Sequence, residues 1–234
     1  MPPAAHPESV IRAAGGRDIE LKVHQCVWSG AHPANSLAAI QECYRERVAR
    51  AEIDVAMLHD ADFLVVHDRT LDGSTDGRGP VDEVTRAESR RLRLVEGGRV
   101  TGQAPPLLSE VIEAIAAESF PTLLELDLKD WRPWPWQRVE ELARLLQPVK
   151  ERIRFGGVAD WNLRRLHHVD PGLPMGFTVT QYLDWVPETT TPDPLPGVRG
   201  AYGYLDRHPL ARQRYGPTAD YLRDRMSGIM RLVP

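Results

Sequence analysis

The sequence predicts an α/β fold, a parallel sheet with helices on its outer face, of the size of a single β/α barrel. Three observations carry this. Short alternating strands and amphipathic helical segments succeed one another along the chain. The 234 residues come close to the roughly 250 typical of such a barrel. The residues with chemistry in them, His24, Glu52, Asp54, His67, Asp127 and Lys129, fall at or near the C-terminal ends of strands, the face on which parallel barrels build their sites.

In order, residues 1–18 read as a flexible lead-in, and 19–234 as one barrel domain. A weakly alternating first strand over 19–24 ends in His24. After a loop broken by Gly30 and Pro33, Asn35 is the expected N-cap of a helix whose apolar face is Leu37, Ile40, Tyr44 and Val48. An acidic strand follows over 51–57, then a turn, then an apolar strand over 63–66 that delivers His67. Residues 69–106 are polar and glycine-rich, a long loop or small insertion. Leu108, Val111, Ile112 and Ile115 mark the next helix, and 122–129 the next strand. The tryptophans Trp131, Trp134 and Trp136 follow, expected at the mouth of the site, either packing its rim or walling a bound ligand. Val139, Leu142, Leu145, Leu146 and Val149 mark a helix, 153–158 a strand, 163–169 a helix and 175–179 a strand. Beyond a proline- and threonine-rich loop at 187–197, only a weak helix around 219–230 is expected. The strands that would close a barrel are not evident there, so the barrel is expected to be incomplete at its C-terminus.

The acidic strand organises the rest. Its period-two alternation puts Glu52 and Asp54 on one face and Ile53 and Val55 on the other. An isolated Glu-x-Asp usually means two acids on a wet face. Here the apolar residues face the helices, so the acids point inward, where carboxylates are costly unless something positive sits beside them. A hard divalent cation with oxygen ligands meets that need.

Composition narrows the partners. A net charge of −4 and a pI near 6.1 argue against nucleic-acid binding and a polybasic membrane patch. No run is long and apolar enough for stable membrane insertion, and residues 1–16 lack a signal-peptide core. Two cysteines, Cys26 and Cys43, without metal-type spacing favour a reducing compartment, and a cytoplasmic location is expected.

The ordered set His24-Gln25, Pro33-Ala34-Asn35-Ser36, Glu52-Ile53-Asp54, His67-Asp68 and Asp127-Leu128-Lys129 resembles the glycerophosphodiester phosphodiesterase family. The segments 69–77 and 106–111 look like the family's as well. The resemblance covers roughly residues 20 to 180. It implies a TIM-type (β/α)8 barrel and metal-dependent hydrolysis of small-molecule glycerophosphodiesters to glycerol 3-phosphate and an alcohol. It implies one divalent cation, Mg²⁺ or Ca²⁺, held by Glu52, Asp54 and Asp127. His24 and His67 would be general acid and base, and Lys129 would contact the phosphate. Gln25 stands where the family has arginine, leaving one neutral donor for the phosphate, and Trp131 is a candidate substrate wall. Ala34 replaces a glutamate, and Asp127 stands where glutamate is commoner. The same residues leave two alternatives open: a phospholipase D-like enzyme forming a cyclic phosphate, or a degenerate barrel that binds phosphodiesters without turnover. Asp68 either caps its loop or orients His67, and Glu125 either salt-bridges within the barrel or supports the metal ligands.

Overall fold

The computed structural model describes residues 4–130, 132–157 and 159–176. A 3₁₀ turn, Pro7–Ser9, leads into β1 (Val10–Arg12), which pairs antiparallel with β2 (Asp18–Glu20). Residues 4–18 therefore carry one arm of a hairpin, with the His6 N–H donating to the Arg47 carbonyl at 2.8 Å. The first strand expected over 19–24 is split. Residues 18–20 belong to this hairpin, and only β3 (Lys22–Val23) enters the main sheet.

The chain continues through α1 (Leu37–Arg45), β4 (Arg50–Met57) and β5 (Phe63–Val65). Next come α2 (Arg86–Ser89), the hairpin strands β6 (Val95–Glu96) and β7 (Arg99–Val100), and α3 (Leu108–Ala116). Then follow β8 (Leu123–Leu128), α4 (Trp136–Leu146), β9 (Ile153–Gly157) and α5 (Asp160–Val169). In the main sheet β3, β4, β8 and β9 lie side by side and parallel, and Phe155 pairs with Met175 as the next parallel connection begins. This is an arc of a β/α barrel. Expectations for residues 177–234, including the weak helix and the closure of the barrel, lie outside the described residues, as does Trp131.

Alternation decides the layers. Ile53, Val55, Leu124, Leu126 and Leu128 are buried against the apolar faces of α1, α3 and α4 in one core, and removing their apolar surface from water is the main stabilising term. The opposite face of β4 and β8 carries the acids. Parallel register sets Glu52 level with Glu125 and Asp54 level with Asp127.

One strand runs against expectation. β5 is antiparallel to β4, with Val55 opposite Val65 and Met57 opposite Phe63. The chain rises past the sheet rim and comes back, so that the Val66 N–H donates to the Asp54 carbonyl at 3.1 Å. His67 thus arrives at the level of Asp54 from above. The turn is held by Arg138 of α4, which donates to the carbonyls of Leu58 and Asp62 and lies 4.9 Å from the Phe63 ring centroid. Residues 69–106 hold α2 and the β6–β7 hairpin among turns and bends. Leu71, Val81 and Leu92 pack with Ala56, Leu58, Leu64, Val66 and Leu107 as a second apolar cluster.

Two tryptophans depart from their expected place at the mouth. Trp134 is fully buried, 5.3 Å from Phe63. Trp136 opens α4 and meets Arg165 and His168 of α5. Trp134→Ala should cost about 3–5 kcal/mol as a large core truncation. Trp136→Ala should cost under about 1 kcal/mol, since exposed cation–π contacts are worth no more than that. Urea unfolding of both variants measures the contrast; equal losses would overturn it.

Candidate active site

The site is assembled on the sheet's acidic face from the ends of β3, β4 and β8. Glu52 and Asp54 are 2% and 0% exposed. Together with Asp127 they offer ligand oxygens that all lie within 4.8 Å of one another. The sequence-predicted metal trio therefore converges in space.

The turn after β3 fixes one oxygen on each of the two buried acids. Gln25 and Cys26 adopt φ of 52° and 55°, left-handed conformations that cost non-glycine residues about 1–3 kcal/mol each. In this conformation the Gln25 N–H reaches Glu52 Oε2 at 2.8 Å, and its side-chain amide reaches Asp54 Oδ2 at 2.8 Å. Gln25 is thus placed on the carboxylates, where the sequence suggested a phosphate donor.

Asn35 joins it. Its Nδ2 donates to Asp54 Oδ2 at 2.7 Å, and its Oδ1 accepts from the Asp54 N–H at 3.1 Å. The expected N-cap role falls instead to Ser36, whose Oγ accepts from the Ala39 N–H at 3.1 Å. Asn35 has φ 61°, a region Asn tolerates better than most residues. It is the site residue that sequence reasoning missed. The available signal was two cap-type residues in succession, of which one helix end needs only one.

Lys129 Nζ stands 2.7 Å from both Asp54 Oδ1 and Asp127 Oδ2. Glu52 Oε1 has no hydrogen-bond partner among the described residues. An orphaned buried carboxylate oxygen beside two further acids is a donor set that fits a hard divalent cation, and Glu52, Asp54 and Asp127 could hold one. Glu125 pairs with Lys22 at 2.8 Å, the salt bridge that one of its two readings expected. Gly156, level with Asp127, lacks a side chain where a Cβ would come within 3.0 Å of Glu125 Oε1.

The histidines stand above the acids. His24 Nε2 is 3.6 Å from Glu52 Oε2, and His67 Nδ1 is 2.9 Å from Asp68 Oδ1. His67 and Gln25 share the wall of a cavity of about 240 Å³ with Asn35 and the insertion residues Ser74 and Val95.

Electrostatics separates the two buried acids. Burial, then the neighbouring Asp54, pushes the Glu52 carboxyl up to about 8. Burial also acts to raise Asp54, but hydrogen bonds and charge from Lys129, with Asn35 and Gln25, hold it below the ordinary aspartate value. Lys129 is held above its ordinary value: burial works against its charge, and Asp127 and Asp54 outweigh that.

The chain is similar to known proteins in both sequence and fold. The model of the glycerophosphoryl diester phosphodiesterase family matches residues 28–209. A glycerophosphodiester phosphodiesterase from Caldanaerobacter subterraneus subsp. tengcongensis is 28% identical over 152 residues, 62% of this chain and 60% of that protein. One from Bacillus altitudinis is 26% identical over 155 residues, 63% of this chain and 62% of that protein. The matched segment thus spans less than two thirds of either relative. Among solved structures, a phosphodiesterase from Oleispira antarctica in complex with the product sn-glycerol-3-phosphate has a TM-score of 0.59 at 23% identity, covering 72% of this chain and 67% of that one. A glycerophosphodiester phosphodiesterase from Agrobacterium tumefaciens has a TM-score of 0.55 at 22% identity, covering 66% and 64%. These likenesses establish the TIM-type barrel fold.

The Glu52 shift has a consequence for stability. The folded carboxyl titrates above its unfolded value of 4.5, so between that value and about 8 the folded state binds more protons than the unfolded one. Stability must then fall as pH rises through this window. The chain stripped of divalent cations should lose several degrees of unfolding temperature between about pH 5 and pH 8. Glu52→Gln should flatten that slope, and an unchanged slope would overturn the assignment.

Proposed function

The chain belongs to the glycerophosphoryl diester phosphodiesterase family, and on that premise we propose that it hydrolyses glycerophosphodiesters to glycerol 3-phosphate and an alcohol. The observation that carries this reading is the convergence of Glu52, Asp54 and Asp127 around an unpartnered Glu52 oxygen, with His24 at the rim. The product named for the Oleispira antarctica phosphodiesterase, sn-glycerol-3-phosphate, supports this substrate class.

A divalent cation, Mg²⁺ or Ca²⁺, would supply positive charge for the non-bridging oxygens of the phosphodiester. The chain's own residues do the rest. Gln25 and Asn35 fix the orientation of Asp54, while Lys129, which sits on Asp54 Oδ1 and Asp127 Oδ2, would have to release those oxygens to a cation. Lys129 brings a further positive charge, and we assign it to the charge that gathers on the phosphoryl group. His24 and His67 divide the proton transfers: one takes a proton from the nucleophile, a water or the substrate's glycerol hydroxyl, and the other gives one to the leaving alkoxide; where the glycerol hydroxyl attacks, the cyclic phosphate that forms is then opened by water. Imidazole suits both because it exchanges protons near neutrality. Gln25 donates to Asp54 and Glu52, and we assign it to orienting the acids. Both cysteines are free thiols, which supports the reducing, cytoplasmic setting we propose. No described helix is long and apolar enough to cross a membrane.

The test is glycerol 3-phosphate release from glycerophosphocholine with Mg²⁺, Ca²⁺ or EDTA. Turnover should require the cation. His24→Ala and His67→Ala should each lower kcat at least roughly a hundredfold, the lower end of what general acid–base groups contribute. Phosphorus NMR of the same reaction tells glycerol 3-phosphate from a cyclic phosphate. Full turnover in EDTA, or in a folded His24→Ala variant, would overturn the reading.

A further inference from the structure

His67 is half exposed, so packing alone holds its ring weakly. The turn that follows holds it instead. His67 Nδ1 lies 2.9 Å from Asp68 Oδ1, and Ser74 Oγ donates to the other oxygen, Asp68 Oδ2, at 2.9 Å. An ionised carboxylate only accepts, so this contact puts the proton of the neutral ring on Nδ1 and leaves the lone pair on Nε2.

Ser74 is itself fixed. Its carbonyl accepts from the Val95 N–H at 2.9 Å, and Thr75 bridges to Leu94. Leu71 and Thr75 are buried, and the Thr75 N–H and Oγ1 both donate to the Leu71 carbonyl, at 3.0 and 2.7 Å. Gly73 provides the room. A Cβ there would stand 2.3 Å from Asp68 Oδ2, and the atom that would yield is the end of the Asp68 side chain. The Gly73 backbone is not left-handed. Space, not conformation, is what calls for glycine at this position.

We infer that residues 68–74 are a positioning device for His67: Asp68, seated by Ser74 and given its place by Gly73, holds the ring as the Nδ1–H tautomer and leaves Nε2 for the substrate. This rests on the acid–base reading of His67. Asp68, Gly73 and Ser74 act through His67 and are positioning residues.

The test uses the full chain with Mg²⁺ and glycerophosphocholine, with thermal unfolding as the folding check. Asp68→Asn and Gly73→Ala should each lower kcat roughly tenfold, a part of the general acid–base contribution, with KM within about twofold. Ser74→Ala should lose less, and Asp68→Glu should recover part of the loss. Because both act on one contact, Gly73→Ala should add little in an Asp68→Asn background. Nitrogen-15 NMR of the neutral His67 ring should show the Nδ1–H form in the native chain and a shift toward the Nε2–H form in Asp68→Asn and Gly73→Ala. Unchanged ring signals in both variants would overturn the inference. So would unchanged kcat in both while His67→Ala is inactive. An active His67→Ala variant would instead sink the acid–base reading, and with it the catalytic use of the turn.

Discussion

Two carboxylates buried side by side are the constraint on which the rest depends. Moving an ionised carboxylate from water into a protein interior costs several kcal/mol after relaxation, and Glu52 and Asp54 share one face of one strand. The surrounding donors are divided unequally. Asp54 receives hydrogen bonds from Gln25 and Asn35, which to a charged group contribute about 1.5–3 kcal/mol each, and the Lys129 ammonium lies 2.7 Å from its other oxygen. That sum is of the order of the penalty, so Asp54 is ionised without help. Glu52 receives one backbone N–H from Gln25 and keeps an oxygen with no partner. It is the group whose charge the protein alone does not offset: burial, then the neighbouring Asp54, holds its carboxyl well above the ordinary glutamate value.

The second constraint is delivery. The acids sit within the sheet's inner face, but a histidine that serves substrate must stand above them. His24 meets this by following β3 directly. His67 meets it by a detour: β4 overshoots, β5 returns antiparallel, and Arg138 with the Asp62 turn locks the reversal from the helix side. The insertion then covers the reversal with its own apolar cluster. Through Leu71 that cluster also anchors the turn that follows His67.

The sequence made some of this legible and not the rest, for physical reasons. Period-two alternation encodes which side of a strand a residue faces, so the inward direction of Glu52, Asp54 and Asp127 could be read directly. The helices α3 and α4 were legible from the 3.6-residue recurrence of their apolar positions. Alternation carries no strand direction, so the antiparallel return of β5 was invisible. The exposure of Ile19 and Leu21, 41% and 38%, left nothing to tell the β2 hairpin from the barrel strand. The contacts of Gln25 and Asn35 with the acids escaped because they depend on left-handed backbone, which a non-glycine side chain does not advertise. Trp134 was misplaced because a proline-broken aromatic run reads as a rim loop, whereas Phe63 and α4 enclose it.

The left-handed residues also show where the site's order comes from. Gln25, Cys26 and Asn35 each have positive φ, and the Asn35 N–H donates to the Gln25 carbonyl at 2.9 Å, so the strained segments brace each other. Cys26 is buried in the main core, with its thiol 3.5 Å from the Glu52 carbonyl. Core packing therefore offsets backbone strain a single residue away from the donors that need it. The donors on Asp54 are set by the fold itself, before any cation arrives. A cation binding here would meet one acid already oriented and ionised and one, Glu52, that must still give up a proton. That asymmetry, more than the number of acids, is what the geometry of the first strand's turn accomplishes.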